Sequence, residues 1–260
     1  PGLPDFDADN PLLVLYEKLA VLQRAPETAE NLEHLVDLFI THIHTFRLDD
    51  QSNIIKILLN YCNRQINKGR TDFISTSLSL YKTGLEIGCF LDRGKLKEIT
   101  FQNIVTTATV CGEFDWADNF MKQYQGLLDV SVRTGALAMA MGQWYCEKGE
   151  YAAAIEALNH SFQEPQDIYK AKGMTIRAWC EMYWIDSTCF DLLLAQLDAL
   201  EKYVRRNKDV TSRLSEGMLK FISYTRKMAL LKWDGKDTAG LKAEILNEPN
   251  VVLKNWLLSK

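Results

Sequence analysis

The chain has 260 residues, of which 47% are hydrophobic and 25% charged: enough apolar surface for a substantial core and a charge share that argues against wholesale disorder. Only 6 prolines and 14 glycines punctuate it, which favours long helices over many short strands, and no apolar run approaches the ~18 residues of a membrane span. The net charge of −4 is uneven, with 3 basic and 10 acidic side chains in residues 1–50 against 13 basic and 7 acidic in residues 201–260.

The first ten residues are acidic and turn-rich. Asp5, Asp7 and Asp9 alternate as at the start of a calcium loop, but Asn10 and Tyr16 stand where that loop requires glycine and glutamate. A solvated leader is expected instead. The start at Pro1 rather than Met points to a fragment of a longer protein. Asn10 before Pro11 is a helix start, with proline at the first helical position. The face Leu12, Leu13, Tyr16, Leu19, Leu22 follows, and Pro26 stops it. Apolar periodicity predicts further helices over about Thr28–Thr45, Gln51–Lys68 and Asp72–Phe90, then a short turn at Leu91–Gly94.

From Lys95 the pattern becomes repetitive. Helices are expected at Ile99–Cys111 and Phe114–Leu127, Val132–Lys148 and Tyr151–Ser161, Ile168–Trp184 and Thr188–Asn207. Thr188 with Asp191 has the spacing of a capping box. Thr211–Trp233, Thr238–Asn247 and Val251–Leu258 complete about 12–13 helices, with Asn250 as the expected cap of the last. The reading is an all-α chain in three sections: N-terminal hairpins over 1–94, repeats over 95–207 and capping helices over 208–260.

The second of the repeating pairs carries a packing logic. Gly142 lets a neighbouring helix approach, Ala154 does the same from the other side, and Gly149 suits a helix C-terminus with positive φ. Tyr145 and Tyr151 then fill the wedge between the helices. One pair cannot bury both of its faces, so it needs stacked neighbours.

Gly142, Tyr145, Gly149, Tyr151 and Ala154 resemble the tetratricopeptide signature, and Gly112 with Phe114 and Ala117 repeats part of it 37 residues earlier, near the usual ~34. The third pair has Asp186 and Asp191 in place of the glycine and alanine. A longer likeness covers most of the chain: NYCNRQINKG (60–69), LEIGCFLDRGKL (85–96), TFQNIVTTATVCGEFDWADNFMKQY (100–124), KYVRRNK (202–208) and KNWLLSK (254–260) resemble an uncharacterised family of helical-repeat proteins of the type common in Bacteroidota. The resemblance implies a right-handed superhelix of antiparallel helix pairs, a tetratricopeptide-like α-solenoid, and it implies no activity. In that register the first helix of each pair lines an inner groove: Gln102, Thr106 and Thr109, then Met139, Gln143 and Cys146, then Ile176, Cys180 and Tyr183. This strip either receives an uncharged extended or helical peptide or is filled by neighbouring units.

The chain offers little for catalysis or metal binding. His34, His42, His44 and His160 have no zinc-helix spacing, and His42 and His44 fall on different faces. Cys62, Cys89, Cys111, Cys146, Cys180 and Cys189 occur singly and read as reduced core thiols of a cytoplasmic protein. Arg205, Arg206 and Lys208 complement a helix C-terminus. The expectation is a non-enzymatic scaffold or adaptor for a protein or peptide partner, without cofactor or metal. Two alternatives stay open: a regulatory domain whose activity lies in a missing N-terminal part, and a nucleic-acid binder using the basic C-terminal section.

Overall fold

A computed structural model describes residues 10–24, 29–66, 68–207 and 209–260. The acidic leader with Asp5, Asp7 and Asp9, the Pro26 stop, the start of the second helix at Thr28 and Lys208 lie outside them. The protein is all-helical, 80% helix, with 13 α-helices and one two-stranded hairpin among the described residues. It separates into two compact units, one ending at Asp129 and the other spanning Val130–Lys260. The division falls inside the stretch that sequence patterning groups as 95–207.

In the first unit, α1 (Pro11–Arg24) begins as its cap requires: the Asn10 side-chain oxygen accepts the Leu12 N–H at 3.0 Å. The helices α2 (Ala29–His42), α3 (Leu48–Ile66), α4 (Ile74–Glu86), α5 (Glu98–Val110) and α6 (Phe114–Tyr124) follow. α1 packs on α2, α3 on α4, α4 on α5, and α5 on α6. Leu15, Phe39, Ile54, Ile55, Phe73, Phe101 and Ile104 are buried between them. The expected Leu91–Gly94 turn is a miniature hairpin, β1 (Leu91–Asp92) against β2 (Lys95–Leu96), closed by Arg93 and Gly94 with φ of 49° and 77°. Two consecutive positive φ values give the twist that a tight hairpin needs.

The second unit holds α7 (Val130–Lys148), α8 (Tyr151–Leu158), α9 (Pro165–Ile185), α10 (Phe190–Arg206), α11 (Ser212–Trp233), α12 (Ala239–Asn247) and α13 (Lys254–Leu258). α9 is central and packs against α7, α8, α10 and α11. The signature residues act as their chemistry predicts. Gly149 has φ 81°, and the Glu150 N–H reaches back to the Tyr145 carbonyl at 2.9 Å, the bond that ends a helix on a left-handed residue. Gly112, φ 77°, does the same with Glu113 and Ala108 at 2.9 Å. Gly142 serves a different need. It lies inside α7, and a Cβ there would sit 2.5 Å from Leu158 Cγ and Cδ2. Its role is space, so that α8 can close on α7. Ala154 is fully buried beside Cys146 and Ala178.

Three local details differ from the sequence reading. α8 stops at Leu158 rather than Ser161, and Pro165, with its fixed φ, starts α9 three residues ahead of Ile168. Thr188 does not cap α10: its N–H is taken by the Asp186 side chain at 2.9 Å in a 3-10 turn over Ser187–Cys189, and the helix begins at Phe190. Asn250 does not cap the last helix either. Its amide donates to the Arg213 carbonyl at 2.8 Å, and α13 begins after Leu253, which has φ 53°.

Candidate functional site

The strip assigned from the repeat register is mostly interior. In the first unit, Gln102 and Thr109 are buried on α5; the Gln102 amide donates to Glu98 at 2.9 Å, and the Thr109 hydroxyl donates to the Val105 carbonyl. Thr106 is exposed. In the second unit, Met139, Cys146, Ile176, Cys180 and Tyr183 are all buried. Gln143 is half-buried and donates to Glu147 at 2.7 Å, and Glu147 pairs with Arg177 at 2.9 Å. Seven of the nine are buried, Thr106 is exposed and Gln143 is half-buried.

For the residues of the second unit the physical reason is the packing around α9. α8 and α10 pack on one face. On the other lie α11 and the segment from Asn250 onward. Gly173 of α9 and Gly217 of α11 make room for that segment: a Cβ on Gly173 would stand 3.8 Å from Val252, and one on Gly217 would stand 2.9 Å from the Asn250 side-chain oxygen. The Val252 N–H donates to the Gly217 carbonyl at 3.3 Å. Trp256 and Leu257 are buried, and the Trp256 indole N–H donates to Glu181 at 2.7 Å. Lys260 closes the contact with an ion pair to the same carboxylate at 2.6 Å. Tyr183 is sealed by its hydroxyl bond to the Ala229 carbonyl of α11 at 3.1 Å.

What remains open is a strip of α9 on the side where α8 and α10 pack. A groove of about 880 Å³ runs between α8 and α10, with α9 as its floor. The floor is one helical face: Ile168, Ala171, Lys172, Thr175, Ile176 and Trp179. α10 supplies a wall from Gln196, Ala199, Leu200 and Tyr203; Ile155 and Leu158 of α8 with the Asn159–Phe162 connection supply the other. At one end, Lys172 sits 4.7 Å from the Tyr203 ring, and a shallower hollow continues past Ala199 and Tyr203 to Lys202 and Arg206. A smaller hollow of the first unit, about 320 Å³ under Lys82 and Trp116, differs in that its lysine is already paired with Glu113.

Burial pushes the Cys62 thiol up to about 12 and the Cys146 thiol up to about 11, and it raises Cys180 as well. These thiols are protonated at neutral pH, the opposite of an activated nucleophile. His160 meets the Phe162 ring edge at 5.1 Å. Among the described residues no group of three or more His, Cys, Asp or Glu is placed to hold a metal ion, and no helix is long and apolar enough to cross a membrane. In the basic C-terminal section, Arg205, Lys220, Arg226, Lys227, Lys236 and Lys260 each pair with a carboxylate.

No protein-family model matches the sequence, and comparisons with curated proteins and with solved structures find no match either.

Proposed function

We propose that this chain is a non-catalytic scaffold or adaptor that binds a protein partner through its helix-lined surface. Its antiparallel helix pairs are read as turns of a right-handed, tetratricopeptide-like superhelix. The observation that carries the proposal is the groove over α9, an open channel of mixed apolar and polar lining. The paired Gly-Glu helix ends at Gly112 and Gly149 support the repeat reading. Six unpaired cysteines support a reducing compartment such as the cytoplasm. Carboxylates beside the C-terminal cations speak against a nucleic-acid surface, because a phosphate backbone would have to displace them.

The test is affinity purification of the full chain from cells that make it, followed by mass measurement of the intact complex. A stoichiometric protein partner is expected. A chain that stays alone under gentle crosslinking would overturn the proposal.

A further inference from the structure

Resting on that scaffold reading, we infer that the groove over α9 is a docking site for an amphipathic α-helix with an acidic end, contributed by another protein. The first argument is geometric. α8 and α10 stand on either side of α9 and leave a strip of it uncovered between them. That strip, from Ile168 to Trp179, is about three turns long, with Ala171 and Ile176 buried at its bottom and Ile168, Lys172, Thr175 and Trp179 half-buried. Its lining positions repeat at helical spacing, as do those of α10 from Gln196 to Tyr203. A helix of about ten to twelve residues with apolar side chains at i, i+3, i+4 and i+7 lays its ridge between two such walls. An extended strand gains nothing there, since both walls are helices whose backbone groups are already bonded.

The second argument is charge. Lys172 lines the groove, Lys202 and Arg206 line the adjoining hollow that shares Ala199 and Tyr203 with it, and none of the three has a carboxylate partner among the described residues. This sets them apart from their paired neighbours, such as Arg205 with Glu201 at 2.8 Å. Arg206 lies in the last turn of α10, where a cation complements the helix dipole on its own account. Lys172 lies well inside α9, past its first turn, and stands 4.7 Å from the Tyr203 ring in the groove itself. A helix with carboxylates in its last turn meets the cations with both its side chains and its own C-terminal dipole.

The test uses the full chain and two synthetic helix-forming peptides of about 12 residues. Both carry the same leucine stripe and a fluorescent label; one ends in three glutamates, the other in three lysines. Binding is read by fluorescence anisotropy. The acidic peptide is expected to bind roughly tenfold or more tightly than the basic one, with the preference shrinking as salt is raised. The triple variant Lys172→Glu, Lys202→Glu, Arg206→Glu reverses the preference. Ala199→Trp, an exposed position that projects into the groove, abolishes binding of both while the circular dichroism spectrum stays unchanged. Equal binding of the two peptides, an acidic preference that survives charge reversal, binding untouched by Ala199→Trp, or no binding up to about 1 mM would each overturn the inference. The two readings fail separately. A natural partner that binds the Ala199→Trp chain as well as the wild type leaves the scaffold and removes the groove; absence of any partner removes the scaffold.

Discussion

Replacing Gly142 with alanine tests whether this glycine is present for space. On its own, Gly→Ala inside a helix stabilises by about 1 kcal/mol. Here the new methyl would stand 2.5 Å from Leu158 Cγ and Cδ2, and 3.1 Å from Cδ1. Cγ is a branch carbon close to the backbone, so the clash is not relieved by swinging a side-chain tip. Overpacking of this kind costs about 1–3 kcal/mol, and contact with two carbons at this range places it in the upper part, for a net loss of about 1–2 kcal/mol. Leu158→Ala alone should cost about 3 kcal/mol: three carbons at roughly 0.8 kcal/mol each, plus a cavity beside Met139, Ala171 and Met174. Combined, the two changes relieve each other, because the methyl at 142 enters the space that Leu158 leaves. The double variant should be less destabilised than the sum by about 2 kcal/mol. Urea unfolding followed by circular dichroism gives all four free energies. A stabilised Gly142→Ala chain, or additivity within about 0.5 kcal/mol, would refute the packing argument.

Glu181→Leu should remove about 2–3 kcal/mol, since it strands the Trp256 indole N–H and the Lys260 ammonium in a nearly closed site. Hydrogen exchange should then show residues 250–260 opening ahead of α9; protection equal to wild type would contradict the assigned contact. The contribution of the buried thiols to stability should be level below pH 9 and fall as pH rises from 9.0, the ordinary thiol value, through about 11 to 12, where Cys146, Cys89 and Cys62 titrate in the fold. The sign follows because the unfolded chain loses those protons first, and a pH series of urea midpoints checks it. Iodoacetamide at pH 8 should modify Cys111 and Cys189 well before the four buried cysteines, as read by peptide mass mapping.

Much of the helical architecture was legible because helices announce themselves through periodicity and punctuation. Asn10, Gly112 and Gly149 mark ends through local backbone chemistry, and local chemistry is visible in sequence. The tight hairpin at Leu91–Leu96 was read only as a turn, since two residues per strand carry no alternation. The site was less legible. Met139, Ile176, Cys180 and Tyr183 were read as groove positions from a register in which the first helix of each pair is open on its inner side. That register has no term for Asn250–Lys260, whose return to α9 depends on Glu181 meeting Trp256 across a long stretch of chain. Likewise, Lys172, Ala199 and Tyr203 lie on ordinary apolar helix faces. They become a groove only through where α8 and α10 stand on α9, a tertiary arrangement that periodicity within one helix does not encode.

The return of Trp256 and Lys260 to α9 also sets a clock. Glu181 and its two donors are 75 and 79 residues apart in sequence. At a synthesis rate of about 5–20 residues per second, α9 exists for roughly 4–15 s before its donors have been made. During that interval α7 and α8 can already pack on α9 and α10 follows, while Glu181 and the Gly173 face stay with solvent. The contact that closes this face of α9 therefore cannot form until the chain has been made as far as residue 260, however fast its helices form.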